Sequence, residues 1–311
     1  MPRILFAAGD SRWPTYEAPL KAALAEKGIE AEIALEMAPE TVDYIIYAPG
    51  SPLQDFTPYT NCKAVMNIWA GVEAIVGNPT LTQPLTRMVD HGLKQGMLEW
   101  VVGQVMRHHL GLDIHITMQD GVWRHDTTVP PLAEDRPVTM LGLGELGMAA
   151  GEALAKIGFP VTGWSRSPKE SDLITTLHGA EGLKQALSTA QIVVLLVPFT
   201  PQTENLLNAE TLALLPEGAV ILNPGRGPLI DDSALLAALD SGQVSHATLD
   251  VFRTEPLPED HAYWAHPKVT VSPHIASETR ASTAAQVLAE NIRRGEAGEP
   301  FRFQVDRSRG Y

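Results

Sequence analysis

The sequence predicts an α/β protein built on parallel sheets, and three observations carry that prediction. Short apolar runs alternate with helix-period segments along most of the chain, the order that parallel strands and their crossover helices require. One run, the Ile-Val-Val-Leu-Leu-Val of residues 192–197, is apolar at every position, as strands covered on both faces are. Another, residues 138–141, leads straight into Gly142-Leu143-Gly144-Glu145-Leu146-Gly147 and then into small residues at helical spacing. That is the strand–turn–helix of a dinucleotide site.

Composition sets the outer bounds. The 311 residues suffice for one large domain or two ordinary ones, and a hydrophobic content of 44% supplies a core. A net charge of −14 disfavours nucleic acid and anionic membranes as partners, because both repel an acidic surface. A small anionic substrate needs only a local positive pocket. The single cysteine, Cys62, excludes an intrachain disulfide and reads as an inert, partly buried thiol. Residues 1–6 enter a strand pattern without a signal-peptide layout, and no apolar run approaches the ~18 residues of a membrane span. The expectation is a cytoplasmic protein.

Residues 3–8 read as a buried strand, 9–14 as a loop, and 20–27 as a helix closed by Gly28. Residues 30–35, 43–48 and 62–68 read as further strands, so the first ~90 residues form a small α/β domain of their own. Trp69-Ala70-Gly71-Val72 follows the last of these strands, and its amides make either an anion cradle or an ordinary connecting turn. Residues 78–85 read as loop. Residues 93–110 hold the longest helical pattern before the glycine motif, with Met97, Val101, Val105 and Met106 on one side and Trp100 among them, read as core in preference to a lid over a pocket. His108, His109, His115 and His125 lack metal-ligand spacing and read as solvated or hydrogen-bonded structural residues. Residues 121–137 are loop-rich.

The glycine motif assigns a job to each glycine. Gly142 permits the tight turn, Gly144 lets the backbone approach a pyrophosphate, and Gly147 lets the helix lie close on its strand. The helix face that follows is Gly147, Ala150, Gly151 and Leu154, and its N-terminal amides, from Glu145 and Leu146 onward, would face the phosphates. Gly158 closes that helix, and residues 161–165 form the next strand. An NAD site usually carries an acid at the end of this strand. Here the turn is Ser165-Arg166-Ser167-Pro168-Lys169, with no acid before Glu170. Arg166 can make charge-assisted bonds to a 2′-phosphate and the serines can add hydroxyl donors, which predicts NADP in preference to NAD.

Residues 191–198 read as an apolar strand ending at Pro198, 206–215 as a helix and 219–223 as a strand. Residues 231–241 read as a helix that starts on Asp231-Asp232 and ends at Gly242. Residues 246–251 and 269–272 are strands, and 281–294 is the terminal helix. Three of these strands end in titratable loops: Asn223-Pro224-Gly225-Arg226-Gly227, Asp250-Val251-Phe252-Arg253-Thr254-Glu255-Pro256 and Ser272-Pro273-His274-Ile275-Ala276. In an open parallel sheet such loops emerge at the carboxyl edge, beside the phosphate loop. Arg226 can fork onto a carboxylate and polarise an adjacent keto oxygen. His274 can give a proton near neutral pH, and Glu255 can orient its imidazole. Asp250 would stand on the nicotinamide side. A loop arginine is usually a solvated charge and a histidine after proline often a structural one. Three complementary groups on one edge favour a site.

These motifs, in this order, resemble the D-2-hydroxyacid dehydrogenase family. Within it, Trp164-Ser165-Arg166-Ser167-Pro168-Lys169, the stretch from Arg87 to Trp100 and the ending Val305-Asp306-Arg307-Ser308-Arg309-Gly310-Tyr311 resemble the glyoxylate/hydroxypyruvate reductase branch. The resemblance implies two doubly wound parallel-sheet domains: a Rossmann NAD(P)-binding domain, residues 93–280, inserted into a flavodoxin-like substrate domain, residues 1–92 plus 281–311. It implies Arg226 as the substrate-binding arginine, His274 as acid/base and Glu255 as its partner. It further implies Ala70 and Gly71 amides on the substrate carboxylate, and a homodimer. The family's substrate loop commonly reads Gly-Ala-Gly-Val-Asp, whereas here Trp69 brings an indole to the pocket wall. The activity implied is NADPH-dependent reduction of small 2-oxo acids, glyoxylate to glycolate and hydroxypyruvate to glycerate. The expected cofactor set is Gly142, Gly144, Glu145, Leu146, Gly147, Ser165, Arg166, Ser167, Lys169, Pro198 and Asp250. A phosphoglycerate-type dehydrogenase and a nucleotide-sensing corepressor on the same scaffold carry the same motifs.

Overall fold

The computed structural model describes residues 1–123, 129–308 and 310; His125, Arg309 and Tyr311 lie outside them. The chain divides into two units, residues 1–93 with 278–311, and residues 94–277. Each has its own parallel sheet.

The first unit contains β1 (Arg3–Ala7), α1 (Trp13–Glu26), β2 (Glu32–Ala34), β3 (Tyr44–Tyr47), β4 (Ala64–Asn67), β5 (Leu85–Thr86) and the last helix of the chain, Ala281–Glu296. The strands lie in the order β2-β1-β3-β4-β5, all parallel. Successive side chains alternate between two cores, as the pleat requires. Ile4, Phe6, Tyr44, Ile46 and Met66 face α1 and the last helix, whereas Leu5, Ile45, Val65 and Phe56 pack on the other side. Both faces are covered, hence the continuous apolar runs.

The helix α1 starts at Trp13, not in the region of Leu20 that periodicity predicted. Its Pro14 stands in the first turn, where a missing N–H costs nothing. Pro19 lies inside the helix, and burial of Tyr16, Leu20, Ala23 and Leu24 outweighs the hydrogen bond lost there. Gly28 takes φ +68 beyond the helix end, a left-handed position that suits glycine.

The helix α2, His91–His109, carries the chain into the second unit. There follow α3 (Leu112–Thr117), β6 (Val138–Leu141), α4 (Glu145–Ile157), β7 (Val161–Ser165), β8 (Thr175–His178), α5 (Gly179–Ser188), β9 (Ile192–Leu195), α6 (Ala209–Leu212), β10 (Ala219–Asn223), α7 (Asp232–Ser241), β11 (Val244–Leu249), α8 (Ala262–Ala265) and β12 (Val269–Val271). The seven parallel strands run β12-β11-β10-β9-β6-β7-β8. Strand order reverses about β6, so the turn after β6 stands at the topological switch point, where open α/β sheets bind ligands.

Three parts of this unit depart from the sequence reading. The edge strand β8 and the helices α3, α5 and α8 went unread. Every residue of β8 is at least partly exposed, so it carries no apolar run. The helix expected over residues 206–215 shrinks to the single turn Ala209–Leu212, capped by Asn208, whose side chain accepts from Glu210 and Thr211 amides. The terminal residues of several strands fall outside the ladder, as at residues 196–198. Among the described residues no helix is long and apolar enough to cross a membrane.

Candidate active site

The phosphate turn is built from steric exclusion. Gly142 has φ +112, and a Cβ there would stand 2.5 Å from the backbone of Leu196. A Cβ on Gly147 would fall 1.9 Å from the Gly142 carbonyl oxygen, so the helix can lie this close to its strand only with glycine. Gly144 is different. It is exposed, and a Cβ there would meet nothing within 4 Å. That open space in front of the N-terminus of α4, which no side chain caps, fits a dinucleotide pyrophosphate. Glu145 in the first turn would oppose an anion, but Lys94 pairs with it at 2.9 Å. Leu146 is partly buried against the core of this unit.

At the end of β7, Arg166, Ser167 and Lys169 are exposed, a basic turn at the position that chooses between the two dinucleotides. Ser165 does something other than expected. It is buried, and its hydroxyl donates to the Ser167 carbonyl at 2.7 Å, so it shapes the turn. The Lys169 carbonyl accepts from the Thr176 hydroxyl of β8 at 2.6 Å. Pro198 follows β9 on the same edge, and its carbonyl accepts from the Thr203 hydroxyl at 2.8 Å.

The loops after β10, β11 and β12, three neighbouring strands, carry the titratable residues. Asn223 ends β10; its Nδ2 donates to the Arg226 carbonyl at 2.9 Å and its Oδ1 accepts from the Gly225 amide at 3.1 Å. The Arg226 loop is therefore clamped at its base. A Cβ on Gly227 would stand 1.9 Å from the Phe252 carbonyl carbon, so glycine lets the first loop press against the second. Arg226 itself is partly buried, with Nη1 donating to the Gly225 carbonyl at 2.6 Å. His274 Nδ1 lies 2.7 Å from Glu255 Oε2, and Glu255 Oε1 accepts from the Phe252 amide at 2.8 Å. The carboxylate is thus fixed at one oxygen and fixes the imidazole with the other. The His274 side chain remains 51% exposed, leaving its outer ring nitrogen available to a reacting group.

In the first unit, the turn after β4 is held from below. Asn67, 1% exposed, donates through Nδ2 to the Trp69 carbonyl at 3.0 Å and to the Gly71 carbonyl at 2.8 Å. The Met88 amide also donates to the Trp69 carbonyl, at 3.0 Å. A trans peptide directs its N–H opposite to its C=O, so the Ala70 amide points away from Asn67.

The family of D-isomer specific 2-hydroxyacid dehydrogenases, through its NAD binding domain, matches residues 102–276. The chain belongs to this family. A relative from Salmonella heidelberg, glyoxylate/hydroxypyruvate reductase A, is 38% identical over 258 residues, spanning 80% of this chain and 82% of that protein. A D-isomer specific 2-hydroxyacid dehydrogenase from Xanthobacter autotrophicus Py2, crystallised with NADPH and MES, superposes with a TM-score of 0.92. It is 40% identical, over 100% of this chain and 99% of that one. An NADPH-dependent glyoxylate/hydroxypyruvate reductase from Sinorhizobium meliloti, in complex with NADP and sulfate, gives a TM-score of 0.86 and 31% identity over 100% of both chains.

As a 2-hydroxyacid dehydrogenase, the protein holds its His274 loop by a residue whose part the sequence did not reveal. Asp250 is fully buried. Its Oδ1 accepts from the Ser272 hydroxyl at 2.6 Å and the Ile275 amide at 3.0 Å, and its Oδ2 from the Ala276 amide at 2.8 Å. Its carbonyl takes the His274 amide at 2.8 Å. The carboxylate expected beside the nicotinamide is thereby engaged in supporting His274. Asn67 and Asn223 were likewise missed as clamps; an Asn at a strand end ahead of a glycine turn is the signal that could have found them.

The two histidines at the end of α2 face the interior. His108 Nε2 meets the Thr248 hydroxyl at 2.9 Å, and its ring centroid lies 4.8 Å from that of His246. Burial, then the neighbouring His246 and Arg107, push His108 down to about 3. His246, bonded to Thr270 at 2.9 Å, is also lowered, chiefly by burial. His109 is buried edge-on against Phe159, while His115 is exposed. Cys62 is buried, and burial pushes its thiol up to about 12, so it has little thiolate character.

Proposed function

We propose that this dehydrogenase reduces small 2-oxo acids, glyoxylate and hydroxypyruvate first, with NADPH as the preferred reductant. The observation that carries the reading is the 2.7 Å contact of His274 with Glu255 on the sheet edge that also presents Arg226. Bound at the α4 turn, a reduced nicotinamide dinucleotide supplies the hydride. His274 delivers the proton to the carbonyl oxygen, and Glu255 holds the opposite ring nitrogen and stabilises the imidazolium. Arg226 forks onto the substrate carboxylate and polarises the keto oxygen. The Ala70 and Gly71 amides, with the Trp69 side chain beside them, add donors and a wall for the same substrate. Residues Gly142, Gly144, Glu145, Leu146 and Gly147 take the pyrophosphate, with Pro198 on the same edge. Arg166, Ser167 and Lys169 take the 2′-phosphate on the turn that Ser165 braces. Asp250 serves the nicotinamide side by holding the His274 loop.

We also propose the domain roles: residues 93–280 as the nucleotide-binding domain, and residues 1–92 plus 281–311 as the substrate domain. The assembly proposed is a homodimer in the cytoplasm. Apolar side chains along residues 112–123 support the dimer, since Ile116 is 70%, Met118 52% and Trp123 90% exposed, and a second copy would cover them.

Oxidation of NADPH against a panel of 2-oxo acids tests the activity. Turnover of glyoxylate and hydroxypyruvate, with NADH clearly poorer, is the expected result. Turnover of a phosphorylated acid alone, or tight nucleotide binding without turnover of any acid, would overturn it.

A further inference from the structure

Arg12 has no part in the motifs above, yet it stands over the least ordinary residue of the substrate loop. Its guanidinium carbon lies 5.8 Å from the centroid of the Trp69 ring, within the range of a cation–π contact. Arg12 is held there on both sides. Its Nη1 donates to the Ala8 carbonyl at 2.9 Å, and its amide donates to the Gly9 carbonyl at 3.0 Å. Gly9 has φ +97, and a Cβ there would come within 3.3 Å of Nη1, so glycine keeps the guanidinium's berth open. The following helix is fixed by Phe6, whose ring packs on Trp13 at 5.0 Å and Tyr16 at 5.6 Å.

Trp69 in turn has its carbonyl clamped by Asn67 and Met88. Trp69 as a whole is 42% exposed. An indole half in solvent normally samples several rotamers. Here its backbone is fixed and one face is covered by a guanidinium that is tied to β1's end. The consequence is an indole wall that keeps one orientation beside the Ala70 amide.

We infer that Arg12 is a positioning residue that sets substrate selectivity by holding Trp69 as a rigid wall against 2-oxo acids with large side chains. The inference rests on the proposed reduction of 2-oxo acids and deepens it, adding a size limit and the residue that enforces it. Arg12 does not touch the reacting atoms. Its effect passes through the indole, so it changes discrimination between acids more than it changes turnover of the smallest one.

The test compares wild type with Arg12→Leu, Arg12→Lys, Trp69→Ala and the double variant Arg12→Leu/Trp69→Ala. The readouts are kcat and KM for glyoxylate and for phenylpyruvate with NADPH. Trp69→Ala is expected to raise the phenylpyruvate-to-glyoxylate ratio of kcat/KM about tenfold or more, through KM for the larger acid. Arg12→Leu should move the ratio the same way by about threefold to tenfold, the scale of one cation–π contact. Arg12→Lys, which keeps the cation, should recover most of the wild-type ratio. In the double variant Arg12→Leu should add nothing to Trp69→Ala. Additive effects, or an Arg12→Leu that raises KM equally for both acids, would overturn the inference in favour of direct charge attraction.

A second measurement is independent of turnover. The change in tryptophan emission on Arg12→Leu should be present in the natural background and absent in a Trp69→Phe background. Equal changes in both backgrounds would show that Arg12 does not hold Trp69. If no 2-oxo acid is reduced by the wild type, the functional reading and the selectivity claim both fail, while the emission comparison still reports on the contact itself.

Discussion

Glu255 bridges two parts of the sheet edge: one carboxylate oxygen accepts from the Phe252 amide at 2.8 Å and the other meets His274 Nδ1 at 2.7 Å. His274 reaches this position at φ +55, a left-handed conformation that residues other than glycine seldom adopt. Its amide bond to the Asp250 carbonyl and the Asp250 carboxylate's grip on Ile275 and Ala276 hold the backbone there. Such strain is typical of a site that needs one side chain aimed in one direction.

Reduction consumes a proton, which the proposed mechanism takes from His274. His274→Gln should lower kcat/KM by about 10²–10⁴, the usual contribution of a positioned acid. Glu255→Gln should lower kcat/KM less than His274→Gln does, because the imidazole stays but loses the carboxylate that orients it at 2.7 Å. A kcat/KM equal to that of the wild type would show that Glu255 does not hold the ring in its working orientation. Arg226→Ala should raise KM and lower kcat together, since both carboxylate binding and carbonyl polarisation go.

Two glycines of the phosphate turn should respond in opposite ways. A Cβ at Gly147 collides with backbone, whereas one at Gly144 meets open space. Gly147→Ala should lower the melting temperature of the free protein. Gly144→Val should leave it nearly unchanged yet weaken NADPH binding by tenfold or more, as the pyrophosphate loses its approach. Calorimetry of the two variants, with and without NADPH, separates these outcomes.

Arg166 lies in the exposed turn after β7. Charge-assisted bonds to a phosphate contribute about 1.5–3 kcal/mol, so Arg166→Ala should lower the NADPH-to-NADH preference by roughly 10- to 150-fold. The loss should fall on KM for NADPH and leave KM for NADH almost as it was. A preference that survives would move 2′-phosphate recognition to Ser167 and Lys169.

The His108–His246 pair makes stability depend on pH. Both residues are harder to protonate in the folded protein than the ordinary value near 6.5, His108 down to about 3. The unfolded chain therefore binds protons that the folded one refuses, and stability falls as pH drops from about 6.5 toward 3. Arg107 and Arg136 act in the same direction as burial, and Asp113 opposes them. The slope from one such histidine approaches ~1.4 kcal/mol per pH unit. Urea melts between pH 7.5 and 4.5 should show a shallower decline for His108→Asn than for the wild type. Equal slopes would place the acid sensitivity elsewhere.

Much of this protein was legible in its residues because the determining interactions are local. Both sheets lie between helices, so their strands had to be apolar at nearly every position, and the alternation of strands with helices announced parallel pairing. Gly142, Gly144 and Gly147 are short-range steric requirements, and Gly158 and Gly242 close their helices at φ +118 and +86. The loops of Arg226, Glu255 and His274 could be assigned to one edge because a parallel sheet sends every such loop to the same side. What only the tertiary structure decided is what depends on partners far along the chain. The edge strand β8 has no apolar run to announce it, and α1 tolerates Pro19 because its buried face outweighs the hydrogen bond lost there. Asp250 became the support of His274 through bonds to residues more than twenty positions away, and His108 became hard to protonate through burial first and then through His246 on β11. Arg12 met Trp69 across the ends of two strands. Periodicity reports which face of an element is buried; it carries no record of what that face will touch.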